Sequence, residues 1–141
     1  MGYKISCRTN FDAAHFLAHH NGGCKNIHGH RWTVVAEFYA KELEESGSSR
    51  GMVIDFGIVK PGLKEIADRF DHKLIYERDT LRSTTLLMLE EEEFELSEVS
   101  FRPTAENIAR YFYDELKAMD FPVSSIKVFE TPDNCAEYFE D

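Results

Sequence analysis

The stretch HRWTVVAEFYA, residues 30–40, decides the fold, because its apolar side chains recur at every second position. This alternation is typical of a β-strand with one buried face. The buried face would carry Trp32, Val34, Ala36 and Phe38, and the opposite face Arg31, Thr33, Val35 and Glu37. A strand of this kind needs a neighbouring strand and a covering layer, and the flanking sequence supplies candidates for both.

A second strand is predicted upstream, over residues 4–15, where Ile5 and Cys7 alternate with polar side chains. The intervening residues 17–29 contain Asn21-Gly22-Gly23, which is a clear loop signal. Antiparallel pairing of the two strands would bring His15 beside His30.

Downstream, two helices and a hairpin are predicted. Asp55 lies near the start of a helix over residues 57–70, and Pro103-Thr104 opens a second helix with a candidate N-cap. Both helices carry an apolar stripe at helical spacing. Residues 52–56 are expected to be a short extended piece, and residues 125–139 a hairpin that turns at Pro132-Asp133-Asn134.

The element order β-β-α-α-β-β predicts an α+β fold with a four-stranded antiparallel sheet and two helices on one face. Nothing divides the chain, so residues 1–141 are expected to form a single domain. Residues 76–101 give no clear pattern beyond Glu90-Glu91-Glu92-Glu93, which we expect to be a solvated surface segment.

The composition of the chain indicates which partners it can bind and in which compartment it works. The net charge of −10 argues against nucleic acid, because phosphate binding needs a basic face. No apolar run reaches the roughly 20 residues that span a bilayer. Three cysteines and no evident export signal indicate a reducing, cytoplasmic location without a disulfide framework. Of these cysteines, Cys7 and Cys135 are expected to be small core residues.

The strongest chemical signal is the set of histidines between His15 and His30. His28 and His30 flank Gly29, and residues i and i+2 of an extended chain project to the same side. With His15 at the end of the neighbouring strand, three imidazoles and an open fourth position describe a catalytic zinc site. Imidazole also suits copper, nickel or iron, and His19 and His20 remain alternative ligands.

Five further side chains are candidates for a role at this site. Cys24 is either a fourth ligand of a structural site or a reactive thiol near the metal. The pair Asp71-His72 is either a local hydrogen bond at a helix end or a carboxylate-oriented proton relay. Glu130 shares strand parity with core residues, so its carboxylate either reaches solvent at the strand end or binds a ligand's N–H groups. Glu106 lies in the first helical turn, where the default role is a favourable charge.

Six separate motifs, in this order along the chain, resemble the 6-pyruvoyl-tetrahydropterin synthase family, which includes the bacterial 6-carboxy-tetrahydropterin synthases. The motifs are FDAAH (11–15), CKNIHGH (24–30), MVIDF (52–56), FDHKL (70–74), PTAEN (103–107) and VFET (128–131). Each motif alone is weak, but the ordered set is specific.

The resemblance implies a tunnelling fold (T-fold), in which subunits join their sheets into an oligomeric barrel, expected to be a hexamer, with active sites at subunit interfaces. It implies that His15, His28 and His30 bind zinc and that Cys24 accepts a proton. It makes Asp71 and His72 a relay and Glu130 the anchor of a pterin ring. Thr104 and Glu106 lie in the motif that lines the same pocket. The family substrate is 7,8-dihydroneopterin triphosphate.

The three residues between Cys24 and His28 resemble the bacterial branch that forms 6-carboxy-5,6,7,8-tetrahydropterin for the queuosine pathway, with loss of triphosphate and acetaldehyde. Two departures concern the substrate: residues 76–102 are longer than in compact members, and Leu74-Ile75-Tyr76 lacks the usual Leu-Asn. The pyruvoyl-forming reaction, another zinc lyase or aldolase, and a non-catalytic zinc-binding protein are the alternatives. Five side chains are candidates to hold the triphosphate: Lys25, Arg31, Lys64, Lys73 and Arg102.

Overall fold

Two long antiparallel strands form the centre of the sheet in the computed structural model, which describes residues 1–141. Strand β1 spans Tyr3–His15 and strand β2 spans His28–Ala40. Their register is unbroken from Tyr3 opposite Ala40 to His15 opposite His28. The predicted alternation is confirmed, because all four apolar residues of one β2 face are fully buried: Trp32, Val34, Ala36 and Phe38.

The predicted C-terminal hairpin is also present, as strands β5 (Val123–Thr131) and β6 (Asn134–Phe139). Strand β5 pairs with β2, and β6 pairs with β5. The prediction for Cys135 is wrong, since its side chain is exposed. Its neighbours Ala136 and Tyr138 pack against the core, so the alternation of the strand turns Cys135 to the opposite face.

Two helices cover one face of the sheet, as the sequence predicts. Helix α1 spans Phe56–Asp68, and the Asp55 carboxylate accepts a hydrogen bond from the Gly57 N–H at its start. Residues 52–55 form a bend rather than an extended piece, and Phe56 already belongs to the helix. The turn before the bend is closed by the Met52 N–H, which donates to the Ser49 carbonyl, and the Met52 carbonyl accepts from the Glu44 N–H.

The second of these helices, Ala105–Ala118, is the third in chain order and is named α3. Its N-cap is Thr104, whose hydroxyl accepts a hydrogen bond from the Asn107 N–H. This helix packs on β5 and β6, whereas α1 packs on β1. Together they bury a continuous core of 23 residues in which Phe11 stacks on Trp32 at 5.7 Å between ring centres.

The segment that the sequence left without a pattern holds three further elements: β3 (Leu74–Glu77), helix α2 (Ser83–Glu91) and β4 (Leu96–Val99). Strands β3 and β4 extend the sheet in parallel beyond β1, in the order β4-β3-β1-β2-β5-β6. The sheet therefore has six strands rather than four, and its antiparallel part is the predicted one. Helix α2 buries no residue, and the four glutamates that begin at Glu90 are exposed as expected.

None of the three α-helices combines the length and the apolar character that a membrane crossing requires.

Candidate metal centre and adjoining cavities

The ends of the two central strands bring three imidazoles together. His15 is the last residue of β1 and lies opposite His28, while Ala13 lies opposite His30, so all three histidines share one face of the sheet. His15 is thus directly across from His28 rather than His30, because the register extends two residues further than the sequence predicted. One ligand nitrogen from each ring lies within 4.8 Å of the other two.

Backbone carbonyls fix two of these rings. His15 is 1% exposed, and its Nδ1 lies 2.8 Å from the Pro103 carbonyl oxygen. The His28 Nδ1 lies 2.7 Å from the Asn26 carbonyl oxygen. Since a carbonyl can only accept, each Nδ1 carries the hydrogen and each Nε2 keeps a free lone pair.

Two buried nitrogens of this group have no partner in the protein. They are the Nε2 atoms of His15 and His30. Buried polar atoms are nearly always hydrogen-bonded, so two such nitrogens on neighbouring rings point to a partner that is not part of the chain. The residues present therefore fit a bound metal ion, and imidazole nitrogens are ligands that zinc favours.

The electrostatics favour the neutral, metal-binding form of two of the rings, His15 and His30. Burial lowers the pKa of His15 to about 4, so its imidazole is neutral at neutral pH. Burial also lowers the pKa of His30, and the nearby Glu130 carboxylate only partly opposes this effect. Neutral imidazoles bind metal without first releasing a proton.

Glu130 lies beside this group. Its Oε2 is 3.2 Å from the His30 Nε2, without the geometry of a hydrogen bond. A bulge between Phe129 and Thr131 interrupts the strand register at this position. Glu130 and Glu106 line the same cavity of about 390 Å³ at the start of α3, so the structure brings these two candidates together. Thr104 lies next to them as the N-cap of α3.

Cys24 is half-buried in a single 3₁₀ turn, Gly23–Lys25, and its sulfur is not part of the three-histidine group. Its carbonyl accepts a hydrogen bond from the Leu17 N–H, which folds the loop back towards the end of β1. His19 and His20 also lie outside the group. The His20 Nδ1 instead accepts a hydrogen bond from the Gly22 N–H at 2.9 Å.

Asp71 and His72 follow α1 and form a side-chain pair. The Asp71 Oδ2 lies 3.0 Å from the His72 Nδ1, and its Oδ1 accepts a hydrogen bond from the Asp12 N–H. This backbone bond is the main cause that lowers the pKa of Asp71, and the carboxylate in turn raises the pKa of His72. His72 has a φ of 59°, in the left-handed region, and its side chain is 77% exposed.

A second cavity, of about 630 Å³, has both His30 and His72 in its lining. The segment between β3 and α3 supplies an apolar part of this lining through Leu89, Phe94 and Leu96. One histidine of the metal group and one member of the Asp71–His72 pair therefore border a common space.

Three of the five cations proposed to hold a phosphate already have partners. Arg31 pairs with Asp12, Lys64 pairs with Asp68, and the Arg102 guanidinium donates to the Ala18 carbonyl. Lys25 and Lys73 have no ion pair, and Lys73 lines the larger cavity.

Sequence reasoning missed the groups that orient the histidines. The carbonyls of Pro103 and Asn26 hold two of the rings, and a backbone carbonyl leaves no trace in residue type. It also missed the apolar cavity lining, because Leu89 and Phe94 belong to a segment without a hydrophobic period.

Comparison with known proteins shows which family the chain resembles. The 6-pyruvoyl tetrahydropterin synthase family model matches residues 4–141. The chain is 40% identical to the 6-carboxy-5,6,7,8-tetrahydropterin synthase of Haemophilus influenzae, over 98% of this chain and 99% of that protein. It is 33% identical to the protein of the same name from Rickettsia conorii, over 94% and 96% of the two chains.

Solved structures share the fold at lower identity. The 6-pyruvoyl tetrahydropterin synthase of Caenorhabditis elegans superimposes with a TM-score of 0.71 at 20% identity, covering 100% of this chain and 97% of that one. An uncharacterized protein from Wolinella succinogenes superimposes with a TM-score of 0.78 at 21% identity, covering 100% and 99%. The predicted tunnelling-fold class is thereby confirmed, and the chain belongs to the 6-pyruvoyl tetrahydropterin synthase family.

Proposed function

We propose that this enzyme converts 7,8-dihydroneopterin triphosphate to 6-carboxy-5,6,7,8-tetrahydropterin, with loss of triphosphate and acetaldehyde, in cytoplasmic queuosine biosynthesis. The observation that carries the proposal is the group of three histidines with two buried Nε2 atoms that have no hydrogen-bond partner. The names of the Haemophilus and Rickettsia relatives support the carboxy-forming reaction over the pyruvoyl-forming one.

In this proposal His15, His28 and His30 hold one zinc ion. Zinc would supply Lewis acidity towards side-chain oxygens of the substrate, which acidifies an adjacent C–H. The open side of the group is compatible with this role, because no fourth protein ligand lies within reach of all three nitrogens.

Cys24 is the proposed proton acceptor. Its place outside the histidine group and its partial exposure suit a base rather than a ligand. His72, paired with Asp71, is the proposed proton relay at the other side of the substrate, and its position in the lining shared with His30 supports this role.

Glu130 is the proposed anchor of the pterin ring. A carboxylate can accept two N–H groups of the pterin in a charge-assisted pair, which sets the orientation of the ring. Glu106 and Thr104 would border the ring from the start of α3.

A homo-oligomer, specifically a hexamer with active sites between subunits, is part of the proposal. Two unpaired sheet edges support it: β4 is the last strand at one end of the sheet and β6 at the other, so each is free on its outer side. Neither nucleic acid nor a membrane is proposed as a partner.

The test is incubation of the zinc-loaded protein with 7,8-dihydroneopterin triphosphate and identification of the products by mass spectrometry. We expect 6-carboxy-5,6,7,8-tetrahydropterin and acetaldehyde. A pyruvoyl product would select the alternative reaction, and an unchanged substrate would reject a pterin lyase altogether.

Two variants sharpen this test. His28→Ala should lose most of its zinc, whereas Cys24→Ala should keep zinc and lose turnover, because a base has gone and a ligand has not. If Cys24→Ala loses zinc as well, the thiol is a ligand and the site is a structural one.

A further inference from the structure

The orientation of His15 depends on the backbone carbonyl of Pro103, a residue that has no N–H of its own to anchor the backbone there. The His15 Nδ1 meets the Pro103 carbonyl oxygen at 2.8 Å, and Pro103 is buried. Proline has no backbone donor. The position of this carbonyl is therefore set by the packing of the Pro103 ring and by the hydrogen bonds of the residues on either side of it.

Asn107 holds the chain on both sides of Pro103. Its side-chain Nδ2 donates to the Arg102 carbonyl at 3.0 Å, and its backbone N–H donates to the Thr104 hydroxyl at 3.2 Å. The Arg102 carbonyl also accepts from the Thr104 N–H at 2.8 Å. Asn107 itself is exposed, so these bonds do not arise from core packing.

Arg102 extends the same connection to the loop between β1 and β2, which leads to the two ligands at the start of β2. Its Nη2 donates to the Ala18 carbonyl at 3.1 Å, across 84 positions of sequence. Ala18 follows His15 by three residues, and the adjacent Leu17 N–H is bonded to the Cys24 carbonyl. The guanidinium makes no ion pair, so its hydrogen-bonded partner here is the loop backbone.

We propose that Asn107 and Arg102 are positioning residues of the metal site: Asn107 fixes the Pro103 carbonyl that orients His15, and Arg102 ties residues 17–29 to the start of α3. We call these two side chains, with the Pro103 carbonyl, the 102–107 brace. The inference rests on the proposed function, because it concerns the site at which zinc is proposed to bind. Arg102 is accordingly removed from the phosphate-binding candidates.

Two variants remove the two donors separately. Asn107→Asp keeps the size of the side chain and places a favourable charge in the first turn of α3, but it replaces the Nδ2 donor with an oxygen. Arg102→Met keeps an unbranched stem and removes the guanidinium. Asn10→Asp is the charge-matched control, because its side-chain oxygen accepts from the Thr33 hydroxyl and remains an acceptor after the change.

The experiment measures the zinc Kd by chelator competition, the visible spectrum of the cobalt-substituted protein, and the Tm of the zinc-free protein. For both brace variants we expect a Kd weakened by about 10-fold or more and an altered cobalt spectrum. The zinc-free Tm should stay within about 4 °C of the wild type. The control should match the wild type in all three measurements.

Failure of this inference and failure of the proposed function would give different results. Brace variants that bind zinc as tightly as the wild type, with its cobalt spectrum, would overturn the proposal, as would variants that weaken zinc binding only by unfolding. Wild-type protein that does not bind zinc would instead defeat the proposed function, whatever the variants do.

Discussion

At the residue scale, the structure gives histidines of one chain different protonation behaviour. Burial lowers the pKa of His15 to about 4, whereas the exposed His72 gains a carboxylate partner that raises its pKa. The first change suits a metal ligand and the second suits a group that exchanges protons near neutral pH.

Replacement of Asp71 tests the second of these changes. Because the Asp71 carboxylate stabilises the imidazolium, Asp71→Asn should lower the pKa of His72 towards its ordinary value of about 6.5. In the wild type the folded pKa lies above the unfolded one. The pairing therefore contributes stability below about pH 6.5 and loses it as the pH rises through the folded pKa.

The measurement is an NMR titration of the His72 ring in both proteins. Equal pKa values in the wild type and in Asp71→Asn would show that the 3.0 Å contact does not govern this imidazole.

Glu130→Gln tests the proposed pterin anchor. The change keeps the shape and exchanges one acceptor for a donor, so we expect kcat/KM to fall at least about 10-fold, or about 1.4 kcal/mol. The Tm and the zinc content should stay close to wild type, since the His30 Nε2 makes no hydrogen bond to this carboxylate. Normal turnover, or a protein that unfolds, would make Glu130 a structural residue.

The individual site residues were predictable to different degrees. His28 and His30 followed from strand parity, and the Asp71–His72 contact followed from adjacency in sequence. The contact between Glu130 and His30 did not, because it needs the pairing of β5 with β2, two strands that are far apart in the sequence. The carbonyl that holds His15 comes from 88 residues away, a separation that no local pattern reports.

At the scale of elements, α1 contains a glycine whose reason is close packing. Gly62 is buried, and a Cβ placed there would lie 2.7 Å from the Phe121 ring and 3.1 Å from the Met119 sulfur. The missing side chain lets the chain that follows α3 approach the helix backbone.

Gly62→Ala should therefore destabilise the protein by about 1–3 kcal/mol, although alanine is the better helix former by about 1 kcal/mol. Urea denaturation of this variant and of Glu65→Ala, on the exposed side of the same helix, gives the comparison. The control should change by less than about 0.5 kcal/mol. A more stable Gly62→Ala would mean that Phe121 moves aside without cost.

The elements that the sequence predicted have a periodic apolar face, and those it missed do not. Strand β2 alternates over its length and α3 carries six buried residues on one face. By contrast, β3 has only four residues and is buried through parallel neighbours on both sides, while α2 buries none. A helix that buries none of its residues has no apolar stripe for a sequence pattern to report.

At the scale of the whole molecule, the sheet ends in strands with unpaired backbone groups. The outer side of β6 is free, and Phe139 on this strand is 62% exposed. Exposed edges of this kind are normally blocked or paired with another chain.

We expect the protein to sediment as an oligomer at micromolar concentration, and Phe139→Lys to shift it towards smaller species, because a lysine on an edge strand opposes pairing. The circular dichroism spectrum of this variant should match the wild type, since Phe139 is not part of the core. A wild type that sediments as a monomer would contradict the proposed assembly.

The left-handed backbone conformation at His72 lowers local stability, whereas the histidine side chain at this position serves the proposed activity. A histidine at a φ of 59° has a conformational cost, and this cost is smaller for asparagine and smallest for glycine. If selection acted on the fold alone, one of those residues would be favoured at this turn. Above the folded pKa of His72, where the pairing with Asp71 no longer adds stability, His72→Asn should unfold at the same denaturant concentration as the wild type or at a higher one, while it loses the proposed proton relay. The position would then retain histidine for its chemistry rather than for its conformation.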